Sequence, residues 1–133
     1  MRLVADANVL LSAVIGGRAK AVLNHPSVSE ILTSEMTLAE VQEYAAQLAV
    51  KKRLSLDIVL LNVATLPVTL VGRDVYERNI PEAKRRIGRR DPDDVEILPL
   101  ALHLKAPLWS NDNDFEDAGV EWFTTAELLS SLG

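Results

Sequence analysis

Residues 3–15 read LVADANVLLSAVI: a short apolar run, an acid, and then apolar residues spaced one helical turn apart. Leu3-Val4-Ala5 has the length and content of a buried strand, whereas Val9, Leu10, Ala13 and Val14 form the stripe of an amphipathic helix. Asp6 stands at the join and Asn8 two residues beyond it, both wedged between apolar segments. The same alternation continues outward. Strand-like runs recur at Glu30-Ile31-Leu32-Thr33, Val68-Thr69-Leu70-Val71, Pro107-Leu108-Trp109 and Glu121-Trp122-Phe123. Helical patterns follow them at Leu38, Val41, Ala45, Leu48 and Ala49, at Ile58, Leu61 and Val63, at Val95, Leu98, Ala101 and Leu102, and at Ala126 and Leu129. Strands alternating with helices imply a mostly parallel sheet, and right-handed crossovers then cover its faces. The expected fold class is α/β, a three-layer α/β/α sandwich, with residues 1–133 as a single domain and no internal repeat or linker. Pro99 conflicts with a helix from 94 to 104, because it has no amide and strands the carbonyl of Val95. It predicts either a kink or a late start to the regular helix.

A chain of 133 residues has the usual size of one domain. Apolar residues make up 48% and charged residues 25%, the balance of a soluble globular protein. Cysteine is absent, which excludes disulfide frameworks, Cys-built zinc sites and thiol nucleophiles. His25 and His103 are too few and too far apart for a histidine metal cluster, so a metal here would be a hard cation on oxygen ligands, such as Mg²⁺ or Mn²⁺. Neither a signal-peptide pattern nor an uncharged apolar run of about 18 residues occurs, and we expect a soluble, cytoplasmic protein with no membrane partner. Fourteen bases against 19 acids leave a net charge of −5, which speaks against binding nucleic acid by bulk electrostatics. Residues 84–90, KRRIGRR, are the local exception. The segment from Leu54 to Leu66 is more apolar than one buried helix face requires, and is either core or a surface for a partner or a second copy.

Ligands of an open parallel sheet bind at the carboxyl ends of its strands, where acids gather in this sequence. Asp6 closes the first strand; Asp112 and Asp114, within SNDNDF, follow the strand containing Trp109; Asp94, within RDPDD, opens a helix; and Glu40 lies on the first turns of the long helix after the second strand. Carboxylates crowded into one cleft raise one another's pKa or recruit a cation. Such a cluster suits metal-assisted phosphodiester hydrolysis, in which two metals about 3.5–4 Å apart polarise the phosphate and acidify a water. Structural readings compete with this. Thr37-Leu38-Ala39-Glu40 has the form of a capping box with Glu40 third in the helix, Asp91-Pro92-Asp93-Asp94 that of an N-cap and first turn, and Asn111 or Asp112 that of a cap for the helix carrying Phe115. Asp6, ending a buried strand, favours the functional reading. Lys51-Lys52-Arg53 complements the dipole at the end of the long helix. His103 reads as a structural or surface residue, and Trp109, Trp122 and Phe123 read as core.

Taken in order and spacing, VADANVLLSAVI, the segment from Ser34 to Glu40, RRDPDDVEILPLAL and LWSNDNDF resemble the PIN-domain ribonucleases over nearly the whole chain. The resemblance implies a Rossmann-like α/β/α fold and an endoribonuclease dependent on one or two Mg²⁺ or Mn²⁺ ions. Among small members it implies the VapC-like toxin of a toxin–antitoxin pair. Asp6, Glu40, Asp94 and Asp112 match the catalytic and metal-binding acids, Asp114 matches a further metal support, and Asn8 and Ser110 match residues that orient the acids. The implied partners are RNA, a cognate antitoxin and, by the family's habit, a second copy of the chain. Two departures stand out. Pro99 lies in the helix that presents Asp94, and Asp91 and Asp93 rival it; Asp94 is preferred because Ile97, Leu98, Ala101 and Leu102 run from it in the family's register. In this light Lys84, Arg85, Arg86, Arg89 and Arg90 become candidates to grip RNA phosphates beside the scissile bond. Aromatic residues, at 5%, are too few for an extended base-stacking platform.

Other enzymes that collect acids at strand ends fit less well. A haloacid-dehalogenase-like phosphatase wants a second Asp where Asn8 stands, a receiver domain wants a phosphoacceptor Asp on a middle strand and a Lys after a late one, and Gly16-Gly17 is too little for a Walker-type loop. The remaining alternative is a catalytically silent PIN-like binding module whose acids serve as helix caps.

Overall fold

The computed structural model describes residues 1–87 and 96–133. Strands form where the apolar runs fall: β1 (Arg2–Ala5), β2 (Glu30–Ser34), β3 (Thr69–Val71), β4 (Leu108–Trp109) and β5 (Trp122–Phe123). They make one parallel sheet in the order β3-β2-β1-β4-β5. The chain moves outward from β1 to β2 and β3, then returns past β1 to β4 and β5. Strand order therefore reverses between β1 and β4, and a crevice opens there at the carboxyl ends.

Helices α1 (Ala7–Val14), α2 (Ala19–Leu23), α3 (Glu35–Lys51) and α4 (Leu56–Ala64) belong to the outward crossovers. In the return crossover lie α5 (Arg73–Tyr76), α6 (Ile80–Ile87) and α7 (Ile97–Leu104), and α8 (Thr125–Leu132) follows β5. Right-handed crossovers running in opposite directions put their helices on opposite faces, and the core divides to match. Leu3, Ala5, Ile31 and Trp109 pack with α1, α2, α3, α4 and α8, whereas Val4 and Leu108 pack with α6, α7 and Phe115. The alternation of Leu3, Val4 and Ala5 between the two clusters is the pleat of a strand buried on both sides. The expected α/β sandwich is the observed one.

Several local expectations change. Pro99 is the third residue of α7, which begins at Ile97. This is the late start, and it costs no hydrogen bond, because the first amides of a helix have no partner within it. Val95 lies outside the described residues. In α4 the buried residues are Val59 and Val63, while Ile58 and Leu61 are 60% and 61% exposed. With aliphatic residues nearly all round, the pattern of LDIVLLNVA does not say which side is core. In α8 Thr125 and Leu128 are buried and Ala126 is exposed, a shift of one residue from the expected stripe. Helices α2, α5 and α6 have no apolar stripe that the periodicity marks. The first two have five and four residues, and the apolar stripe of α6, Ile80, Ala83 and Ile87, is diluted by charges. Among the described residues no helix is long and apolar enough to cross a membrane.

Candidate active site

Asp6 follows β1 directly and is the N-cap of α1. Its position is forced from both sides: Ala5 is the last strand residue, and the amide of Asp6 donates to the Trp109 carbonyl of β4 at 3.0 Å. Asp6 is 9% exposed, and its carboxylate accepts hydrogen bonds from three groups among the described residues. The Ala7 amide donates to Oδ1 at 2.8 Å; Asn8 Nδ2 and Ser110 Oγ donate to Oδ2 at 3.2 and 2.8 Å. Capping therefore leaves the carboxylate in the cleft, since the helix start aims its donors at the β1–β4 crevice.

Ser110 is fully buried at the end of β4 and ties the second acid to the first. Its hydroxyl donates to Asp6 and accepts from the Asp112 amide at 3.0 Å and from Asn8 Nδ2 at 3.1 Å. Asn8 Oδ1 accepts from the Asn111 amide at 3.0 Å. Asp112 then caps a 3₁₀ turn, Asn113–Phe115, accepting from the Asp114 amide at 2.9 Å. Of the two expected caps for this turn, Asp112 is the one observed. Three contacts brace the loop from behind. Trp122 Nε1 donates to the Ser110 carbonyl, Asn111 Oδ1 accepts from the Thr125 amide, and Trp109 Nε1 donates to Thr125 Oγ1.

On the other side of β1, Thr33 Oγ1 donates to the Ala5 carbonyl at 2.9 Å and Ser34 ends β2. Ser34, rather than Thr37, caps α3: its Oγ accepts from the Thr37 amide at 2.9 Å, so the helix begins three residues earlier than the expected capping box. Ser34 is already the last strand residue, and a polar residue serving both elements leaves no gap for the periodicity to mark. Glu40 is therefore sixth in α3, in its second turn, and half-buried. Further along this edge the buried Tyr76 donates from its hydroxyl to Glu96 Oε2. Burial and then Glu96 push the phenol up to about 12, with the Ser34 hydroxyl acting in the opposite direction. Tyr76 lies in none of the quoted segments, and Glu96, although within RRDPDDVEILPLAL, is not among the acids singled out there.

The structure thus joins Asp6, Asn8, Ser110 and Asp112 in one hydrogen-bonded network, with the half-buried Asp114 on the same turn. Asp94, its rivals Asp91 and Asp93, and Arg89 and Arg90 lie outside the described residues. Among the described residues no three acidic or histidine side chains converge as a metal set. On α6, Lys84 is exposed. Arg85 and Arg86 both pair with Glu82, whose carboxyl is held at about 2 by hydrogen bonds from Arg85 and Arg86. Arg86 Nη1 also donates to the carbonyls of Ala118 and Gly119 at 3.1 and 3.2 Å. His103 is exposed and Trp109 is core, as read from sequence.

No curated protein matches the chain. Solved structures do. The chain is similar to PAE2754 from Pyrobaculum aerophilum, with a TM-score of 0.77 at 12% identity, over 99% of this chain and 95% of the other. It is similar to VapBC2 from Rickettsia felis, solved bound to a DNA fragment from their promoter, with a TM-score of 0.65 at 16% identity over 93% and 98%. A toxin–antitoxin complex from Klebsiella pneumoniae gives 0.66 at 19% identity over 92% and 97%. At these identities the likeness is one of fold. The sequence itself matches the family model of the PIN domain over residues 4–133, and with the acids gathered at the β1–β4 switch, the chain belongs to the PIN domain family.

Proposed function

We propose that the protein is a Mg²⁺- or Mn²⁺-dependent endoribonuclease acting as the toxin of a toxin–antitoxin pair. The observation that carries the reading is Asp6: a carboxylate buried at the topological switch, held by a backbone amide, Asn8 and Ser110, and linked through Ser110 to Asp112. Helix capping alone needs only the Ala7 amide. The other two donors fix the second oxygen in a geometry that a cap does not require.

The donor set is one of hard oxygens, which suits Mg²⁺ or Mn²⁺. Asp6, Glu40, Asp94 and Asp112 would hold the ion or ions, with Asp114 in support. A bound divalent cation there polarises a phosphoryl oxygen and acidifies a water. The chain's own contribution is orientation. Asn8 and Ser110 restrain Asp6, and the Ser110 hydroxyl holds the turn from which Asp112 projects, so the acids need not reorganise when substrate arrives. RNA brings further negative charge to an acidic cleft, and the basic end of α6, together with Arg89 and Arg90 after it in sequence, is the local source of attraction. Among the described residues Lys84, Arg85 and Arg86 are all exposed, and Arg86 also anchors the loop at Ala118 and Gly119. The antitoxin is proposed to cover the apolar surface of α4, where Leu56, Ile58, Leu60 and Leu61 are all exposed.

The test is cleavage of a pool of structured and single-stranded RNA with Mn²⁺ and with EDTA, using wild type, Asp6→Asn and Asp94→Asn. Metal-dependent cleavage lost in both variants is the expected result. A wild type that neither cleaves nor gains thermal stability from millimolar Mn²⁺ would instead establish the binding module with capping acids.

A further inference from the structure

We propose that the cavity between the ends of α6 and α7 and the loop before β5 is a second contact for the RNA strand, where Arg86 and Lys105 bind a phosphate away from the carboxylate cleft. The inference rests on the nuclease reading and adds to it a site at the opposite end of β4.

The cavity has a volume of about 270 Å³; Leu102, Ala106 and Val120 give it an apolar wall, Arg86 and Lys105 two cations, and Glu121 one acid. Arg86 is held in place on one side. Its Nε donates to Glu82 at 2.9 Å and its Nη1 to the carbonyls of Ala118 and Gly119, which leaves Nη2 with no partner among the described residues. Gly119 has φ +73°, and a Cβ built there would lie 3.2 Å from Nη1. A larger residue would be strained in that conformation and would crowd the guanidinium, so the loop is shaped to receive it. A guanidinium already restrained along one edge presents its other edge to an anion with little further ordering.

Lys105 ends α7 in the left-handed conformation, at φ 53° and ψ 38°. Glycine is the usual residue there, because a side chain is strained. A base complements the helix dipole from anywhere in the last turn, so the dipole does not call for one at the strained position. Lys105 is exposed, and among the described residues its ammonium makes no ion pair. Beside it, Arg85 and Arg86 share the single carboxylate of Glu82, and Lys84 is exposed on the same helix end. Positive charge is thus concentrated here in a chain of net charge −5, and a polyanion gains from every base that it passes. The apolar wall suits the face of a ribose or a base. Lys105 precedes β4 and Ser110 follows it, so at most about 17 Å of chain separates cavity from cleft. At about 3.4 Å per nucleotide in a stacked strand, a short stretch of RNA reaches both.

The test is the fluorescence anisotropy of a labelled single-stranded RNA titrated with the full chain in EDTA, which reads binding without cleavage, repeated over a range of salt. Lys105→Gly is expected to weaken binding several-fold and to lower the slope of log affinity against log salt by about 0.7, the loss of one phosphate contact. The same variant should melt at or above the wild-type temperature, because glycine takes the left-handed position without strain. Lys105→Gln, which keeps the stem and loses the charge, should bind as weakly as Lys105→Gly, and Lys105→Arg should recover most of the affinity. With Mn²⁺ present, Lys105→Gly should raise KM for RNA cleavage and leave kcat near its wild-type value, since the cavity lies away from the acids. Wild-type affinity and salt slope in Lys105→Gly overturn the second contact and leave the nuclease reading standing. Displacement of the RNA by an equal concentration of a nucleoside monophosphate overturns the strand path in favour of a free-nucleotide site. A wild type that binds RNA through Lys105 but does not cleave it with Mn²⁺ keeps the contact and overturns the nuclease, and one that binds no RNA overturns both.

Discussion

At Asp6 one carboxylate caps α1 and stands in the proposed metal cleft, and the two roles separate by substitution. Asn also caps helices, so Asp6→Asn is expected to melt within a few degrees of wild type while RNA cleavage falls by about 10²-fold or more. Ser110→Ala should behave differently. It leaves Asp6 Oδ2 and the Asp112 amide each short of a buried partner, a loss of about 1–3 kcal/mol in unfolding free energy, and it should lower cleavage as well. Tyr76 supplies a pH signature. Its folded value of about 12 lies above the ordinary phenol value of 10.0. As pH rises, the unfolded chain releases this proton first, so the contribution to stability is intact below about pH 10 and is lost between there and about pH 12. Denaturant midpoints should therefore fall more steeply through that window in wild type than in Tyr76→Phe.

Elements differ in how plainly their residues announce them. The five strands were legible because each is a short apolar run bounded by polar residues, and the long stripe of α3 was legible because Val41, Ala45 and Ala49 repeat at one-turn spacing. Asp6 was legible because it follows β1 directly, and Asp112 because it comes three residues after the end of β4. What escaped was set by contacts between distant residues. Nothing in the local sequence says that Ser34 is both the end of β2 and the cap of α3, or that Tyr76 reaches Glu96 across 20 residues. The Ser34 cap has a measurable consequence: Ser34→Ala should cost about 1–2 kcal/mol on denaturant unfolding, because the Thr37 amide and hydroxyl lose their partner inside the protein. Pro99→Ala, by contrast, should change stability by less than about 0.5 kcal/mol, since position three of α7 gains no hydrogen bond from a restored amide.

Across the whole molecule, the sheet is covered on both faces while α4 is not covered on its outer side. A helix apolar all round is normally enclosed, yet only Val59 and Val63 of α4 are buried. Val63→Ala should cost about 2 kcal/mol of folding stability, whereas Ile58→Lys and Leu61→Lys should each leave the denaturant midpoint of the isolated chain almost unchanged. The reverse pattern would mean that the helix is seated the other way round. A second consequence follows from the bracing of the Ser110 loop. The chain has two tryptophans, and both indole N–H groups are spent on this loop or its support, Trp122 on the Ser110 carbonyl and Trp109 on Thr125, whose amide holds Asn111. Intrinsic fluorescence is thus a reporter built into the cleft. Paramagnetic Mn²⁺ arriving beside Asp6 should quench the emission, and diamagnetic Mg²⁺ should compete that quenching away, without a label anywhere on the protein.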